Sequence, residues 1–275
     1  MNGATTTGNW NIAIGLSAGD ALTTGLANVA VGKDSQGGNT TGQFNTSIGH
    51  HSMLVHDGGL RNVAIGAFAM DDTDAGSVSK ASDDCVFIGY SAGGGTWANQ
   101  DCSNMIGIGT SALAGALEGN TADGSIAIGT EALTANTSGY YNTAIGFESL
   151  KANQTGAANT ALGYQTLLAN TGNNNTAVGY AALKANVAGI QNTAIGQEAL
   201  FTNIDGSKNT AVGFKALYDF EADTVNHGWN TALGDVAGQN VSTGTTNICI
   251  GHDSAGTLTT GDSNIIIGTS ANVST

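Results

Sequence analysis

A five-residue phrase returns fifteen times in this chain of 275 residues, and its spacing constrains the fold more than any other feature. In its purest form it reads Asn-Thr-Ala-Ile-Gly, at 142–146 and 192–196. Its closing glycines stand at 15, 32, 49, 66, 89, 109, 129, 146, 163, 179, 196, 213, 234, 251 and 268. Nine of the fourteen intervals are 17 residues, one is 16, and the other four are 20, 20, 21 and 23. A fixed period of this size belongs to stacked architectures, in which each unit buries its apolar face against its neighbours alone. The expected fold is therefore all-β, a parallel β-solenoid or β-roll of about 15 coils with a 17-residue repeat. Residues 1–10 read as a lead-in and 11–275 as a single solenoid domain.

The phrase is numbered here as positions 1 to 5 of each repeat, with the glycine at 5. Position 4 is always aliphatic, position 2 is almost always β-branched, and position 3 is usually alanine. In a strand, positions 2 and 4 share one face and position 3 lies on the other. One face is thus large and branched, the opposite face small. A strand that is apolar on both faces is covered on both sides. One cover is the interior of the coil; the other is expected to be a second copy of the chain. Position 8 is small in every repeat, and leucine follows at position 9 in the central ones, as at Leu133, Leu150 and Leu167. A second glycine at position 15 closes most turns. Each coil then has two sides, one a strand and the other a second strand or a single helical turn, which periodicity over so few residues does not decide. Asn142, Asn159, Asn175, Asn192 and Asn209 recur at position 1 and predict an asparagine ladder, with amides bonded along the axis.

Composition narrows the function. Forty-two glycines and no proline suit a chain in which every turn joins a continuous ladder. A net charge of −14 with seven basic residues argues against nucleic acid and against an anionic membrane surface. No run of about 18 apolar residues offers a membrane span. The opening Met1, Asn2, Gly3, Ala4 and Thr5 carry neither a basic region nor an apolar core, so no secretory leader is expected. Cys85, Cys102 and Cys249 do not make a disulfide framework. Cys85 and Cys102 flank one irregular stretch and are candidates to pair, whereas Cys249 replaces the position-3 alanine as a small buried residue.

The phrase, with Ala or Ser three residues past its glycine, resembles the head repeats of trimeric autotransporter adhesins. It resembles still more closely the repeats of this length in bacteriophage tail-fibre proteins. The resemblance covers nearly the whole chain. It implies a stacked β-roll, side-by-side association of three chains, and a place in the virion or on an extracellular surface. The period departs from that of adhesin heads, and no stalk, anchor or chaperone of the kind that accompanies such repeats is expected within these residues.

Four long repeats carry extra residues within 71–84, 93–104, 114–124 and 218–229. Insertions in repeat proteins become loops on one face, often the binding face. Trp97 and Trp229 lie in two of them and offer rigid apolar planes suited to sugar or protein contact. With Tyr218, His227, Asp71, Asp72 and Asp74 they form the candidate receptor-contact set. The alternative for the indoles is that they fill a loop core. Asp71, Asp72, Asp74, Asp83 and Asp84 crowd one insertion. Calcium uses such oxygens, but no calcium-loop pattern accompanies them, and a solvated acidic loop is the expected reading. The histidines His50, His51, His56, His227 and His252 show no ligand spacing with cysteine or carboxylate partners, so no metal or cofactor is expected. Phe147, Tyr164, Tyr180 and Phe214 share position 6 and suggest either inter-coil packing or a platform for glycans. Glu131, Glu148 and Glu198 share position 7 and read as an acidic stripe rather than a catalytic pair. No nucleophile elbow or phosphate loop is present.

The expected function is a non-enzymatic fibre segment of a virion, homotrimeric, with loops that bind a host-surface glycan or protein. A bacterial adhesin head and an ice-binding solenoid with a threonine rank (Thr143, Thr160, Thr176, Thr193, Thr210) are the alternatives.

Overall fold

The computed structural model describes residues 7–73, 82–97, 103–117, 123–222 and 227–272. The chain divides into two compact units, Met1–Asn142 and Thr143–Thr275. The first holds β1 (Ile12–Ile14), β2 (Val29–Val31), β3 (Thr46–Ile48), β4 (Val63–Ile65), β5 (Val86–Ile88), β6 (Ile106–Ile108) and β7 (Ile126–Ile128). The second holds β8 (Thr143–Ile145), β9 (Thr160–Leu162), β10 (Thr176–Val178), β11 (Thr193–Ile195), β12 (Thr210–Val212), β13 (Thr231–Leu233), β14 (Ile248–Ile250) and β15 (Ile265–Ile267). Within each unit every strand pairs in parallel with the next in sequence. The register places like repeat positions side by side, so Thr176, Ala177 and Val178 face Thr193, Ala194 and Ile195. This is the parallel β-solenoid that the 17-residue period predicts.

The second side of each coil is neither a strand nor a helix. It is a run of turns, and no helix occurs among the described residues. Backbone groups there alternate between bonds inside the coil and bonds to the next coil. Ser149 N donates to Gly146 O at 3.3 Å, Leu150 N to Thr166 O in the next coil at 3.1 Å, and Lys151 N back to Glu148 O at 3.3 Å. Alternation of this kind satisfies a turning backbone that has no regular element of its own.

Left-handed corners make the run possible. Positions 7, 9 and 17 adopt positive φ in every coil but the last, where position 9 departs, as at Glu148 (φ 53), Leu150 (φ 52) and Tyr141 (φ 54). A left-handed conformation costs a non-glycine residue about 1–2 kcal/mol. Stacking offsets it, because Leu113, Leu133, Leu150, Leu167, Leu183, Leu200 and Leu217 all turn inward at position 9 and are fully buried. Position 5 is a stricter case. Gly146 has φ 134, and a Cβ there would collide with the carbonyl of Gly163 in the next coil. Only glycine meets both demands.

The core is narrow and partly polar. Position-3 alanines such as Ala144, Ala161, Ala177 and Ala194 are fully buried, as are most of the small residues at position 8. Two columns of asparagine run beside them. In the first, each Oδ1 accepts the backbone N–H of the asparagine one coil on: Asn175 to Asn159 at 2.9 Å, Asn192 to Asn175 at 2.9 Å, Asn209 to Asn192 at 3.0 Å. The Nδ2 of the same residues crosses the coil to the position-15 region, as from Asn175 to Gly189 O at 2.8 Å. The predicted ladder therefore exists, but most of its rungs are side chain to backbone. The amide-to-amide ladder is a second column at position 12, where Asn186 Nδ2 donates to Asn170 Oδ1 at 2.7 Å and Asn203 Nδ2 to Asn186 Oδ1 at 2.9 Å. It stops where Phe220 takes the next place, and Asn203 Oδ1 is left buried without a partner.

Coils that break the pattern compensate locally. Phe87 stands at position 3 in place of alanine, and position 3 of the next coil is Gly107. A Cβ on Gly107, or on Gly93, would strike the Phe87 ring. Trp97 packs edge-on against Phe87 with centroids 5.7 Å apart. His56 replaces the position-12 asparagine and is buried. Its Nδ1 donates to Thr73 Oγ1 at 2.9 Å and its Nε2 accepts from Asn62 Nδ2 at 3.2 Å. Burial holds this imidazole neutral and pushes its pKa down to about 4. Cys249 sits in the alanine row, its thiol pushed up to about 11 by burial. Cys85 is buried and donates to Asp83 O at 3.3 Å; Cys102 lies outside the described residues, and the proposed pairing with it.

Candidate functional site

The sheet has one covered and one uncovered face. The alanine row points inward, so positions 2 and 4 point outward, and Leu162, Ile195 and Leu233 at position 4 are 45%, 40% and 49% exposed. In unit 2, Thr143, Thr160, Thr176, Thr193, Thr210 and Thr231 form an in-register row beside these aliphatics. Burial of the alanine side alone accounts for the two-faced pattern on one side. The branched side remains an apolar strip at strand spacing within each unit.

All four insertions enter the repeat at the same place. The described residues on either side are Thr73 and Ser82, Trp97 and Ser103, Leu117 and Asp123, and Ala222 and His227. Each pair brackets the second corner of the coil, after position 12 and before position 17. Three of the insertions belong to consecutive coils of unit 1 and one to unit 2.

The candidate contact residues divide into separate places. Trp97 is fully buried. Its indole fills the space beside Phe87 and is not presented outward, so the loop-core alternative describes it. Trp229 is 46% exposed, with Lys208 Nζ 5.1 Å from its ring and His227 5.9 Å away. Tyr218 belongs to another group, stacked on Phe201 at 5.2 Å with Lys215 Nζ 4.9 Å from its ring. Asp72 accepts from Thr96 Oγ1 at 2.7 Å, and Asp71 is half-buried with its Oδ1 unpartnered. Burial, then the charge of Asp72, raises the Asp71 pKa. Asp74 lies outside the described residues. Asp83 accepts from Leu60 N at 2.7 Å, and Asp84 takes a bidentate pair from Arg61 at 2.6 and 2.7 Å. Among the described residues, Asp72, Asp83 and Asp84 each engage a separate partner.

The position-6 aromatics stack on one another. Phe147 and Tyr164 lie 5.3 Å apart at 12°, Tyr164 and Tyr180 5.2 Å apart at 3°. Tyr164 is stacked between its two neighbours, which suits inter-coil packing. The position-7 carboxylates are also engaged. Glu148 accepts from Lys151 and from Gln165, each at 2.6 Å, and Glu198 pairs with Lys215 at 3.4 Å. Lys151, then Gln165, holds the Glu148 carboxyl below its ordinary range.

One cluster escaped the sequence reading. Asp34 Oδ2 lies 3.2 Å from His51 Nε2, and the His50 and His51 rings stack at 3.9 Å. Asp34 and His51 are one period apart at position 7, so the 17-residue spacing itself is the signal that brings them together. Local ligand-spacing rules miss it because they search within one turn of chain.

No protein-family model and no curated protein matches this chain. No helix among the described residues is long and apolar enough to cross a membrane.

Proposed function

We propose that this chain is a non-enzymatic structural segment of a virion fibre, assembled as a homotrimer through its branched strand faces, with the second-corner insertions and Trp229 contacting a host-surface glycan or protein. The observation that carries this reading is the outward row of aliphatic residues backed by a buried alanine row. Apolar strips of this length are characteristically covered by a partner. Three copies laying these strips together would bury them. The ladder supplies stiffness, and a site for covalent chemistry is not needed. Light scattering of the purified chain tests it: three chains per particle is the expected mass, and a stable monomer overturns it. A glycan array and a cell-binding assay then test the receptor role of Trp229.

A second reading, ice binding, draws on the outward threonine row of unit 2. The aliphatic neighbours at position 4 and the Val and Ile that hold position 2 in most of unit 1 interrupt a uniform threonine face. A thermal-hysteresis assay separates the two readings.

A further inference from the structure

We propose that Asp34, His50 and His51 form a binding site for one divalent transition-metal ion. One ligand atom from each residue lies within 4.8 Å of the others. His51 Nε2 is 3.2 Å from Asp34 Oδ2, and the two imidazoles stack at 3.9 Å and 20°. Phe68 meets both rings edge-on, at 5.3 and 5.4 Å, and bounds the cluster on the following coil. Two imidazoles and one carboxylate are the donors of borderline ions such as zinc, cobalt, nickel and copper; calcium and magnesium take sets built from oxygen.

The geometry states what must move. Ligand atoms lie about 2.0–2.2 Å from zinc, which puts neighbouring donors roughly 3.3 Å apart, so the trio must draw in by about an ångström. A metal sits in the plane of each imidazole that binds it, and two stacked rings have no common in-plane point. Binding therefore opens the His50–His51 stack. Lys33 Nζ, 3.0 Å from Asp34 Oδ2, must leave the carboxylate; its exposed side chain can turn to solvent. Three protein donors leave a fourth position for water or for a side chain of a partner. Asp235 and His252, 3.3 Å apart in unit 2, repeat the carboxylate–imidazole pair without a second ring. They are the internal control.

The test uses the untagged chain, titrated with zinc chloride by calorimetry and with cobalt chloride by visible absorption. One equivalent of zinc and the absorption of a low-coordinate cobalt centre are expected, with no displacement by excess calcium or magnesium. His50→Tyr, His51→Phe and Asp34→Ser install residues that other coils carry at the same positions (Tyr90, Phe68 and Ser91), so the fold is preserved. Each should weaken zinc binding by about tenfold or more, at least the loss seen for outer-shell partners of metal sites. His252→Tyr should leave it unchanged. Absence of the cobalt spectrum, equal competition by calcium, or unchanged affinity in all three variants would overturn the proposal.

Discussion

The backbone N–H of Asn192 donates to the side-chain Oδ1 of Asn175, 2.9 Å away and one coil earlier. Asn175 Nδ2 meanwhile donates to Gly189 O at 2.8 Å and to Asn170 Oδ1 at 3.1 Å. One buried side chain thus ties its own coil shut and fastens the next. Asn175→Ala leaves the Asn192 N–H and the Gly189 carbonyl without these partners, and should cost about 3 kcal/mol. Urea unfolding of unit-2 signals measures it. A loss under about 1 kcal/mol would mean that water replaces the amide.

Gly146→Ala should be worse than any asparagine substitution. It combines a φ of 134 with a clash against the Gly163 carbonyl. Relief requires separating two coils, which breaks the ladder on both sides. The expected result is insoluble or unfolded protein, and a soluble variant with unchanged melting would contradict the close stacking at position 5.

Phe87 and Gly107 should show strong coupling. Phe87→Ala removes a buried ring at a cost of about 3–5 kcal/mol, and Gly107→Ala drives a methyl group into that ring. The double variant restores the alanine pair found at position 3 in most coils. It should be destabilised by less than the sum of the two single changes, and additive values in a double-mutant cycle would refute the compensation.

His56 should make stability depend on pH in a defined window. Its pKa falls from 6.5 to about 4 on folding. Between those values the unfolded chain binds the proton and the folded chain does not. Stability is therefore full above pH 6.5 and declines as the pH falls toward 4, by about 3 kcal/mol in total. His56→Asn puts the usual position-12 residue in place and should abolish this component. Subtracting its pH–stability curve from that of the parent chain isolates the effect from the carboxylates.

The outward strand face should control assembly and not folding. Ile195 is 40% exposed within a single chain, so Ile195→Lys should leave coil stability within about 1 kcal/mol. In a trimer joined through that face it buries three like charges and should shift the mass from three chains to one. A lysine variant that remains trimeric would place the interface elsewhere.

Which parts of this fold the sequence disclosed follows from which forces repeat. The strands, their small and branched faces, the position-5 glycines and the position-1 asparagine column all recur at one spacing, and each was legible from it; which face turns inward was not. The turn side was not. Leucine and glutamate have no preference for left-handed φ, so Leu150 and Glu148 read locally as helix formers; only the stack imposes their conformation. The position-12 asparagines were visible in sequence, but their turn-like setting hid a buried ladder. Trp97 looked like a loop residue because the space it fills exists only beside Phe87, an exception to the repeat. Asp34 and His51 become neighbours through the period, at a separation that local motif rules do not scan.

The asparagine rungs have a direction. Each amide oxygen in the first column waits for the peptide N–H of the coil that follows, never of the one before. A coil at the growing end of the stack is thus chemically unfinished until its successor docks. Growth from the amino-terminal side offers each newly made turn a ready acceptor, whereas growth from the other side offers a donor on rigid backbone. Such a chain can form as it leaves the ribosome, laying each turn on a template completed moments earlier.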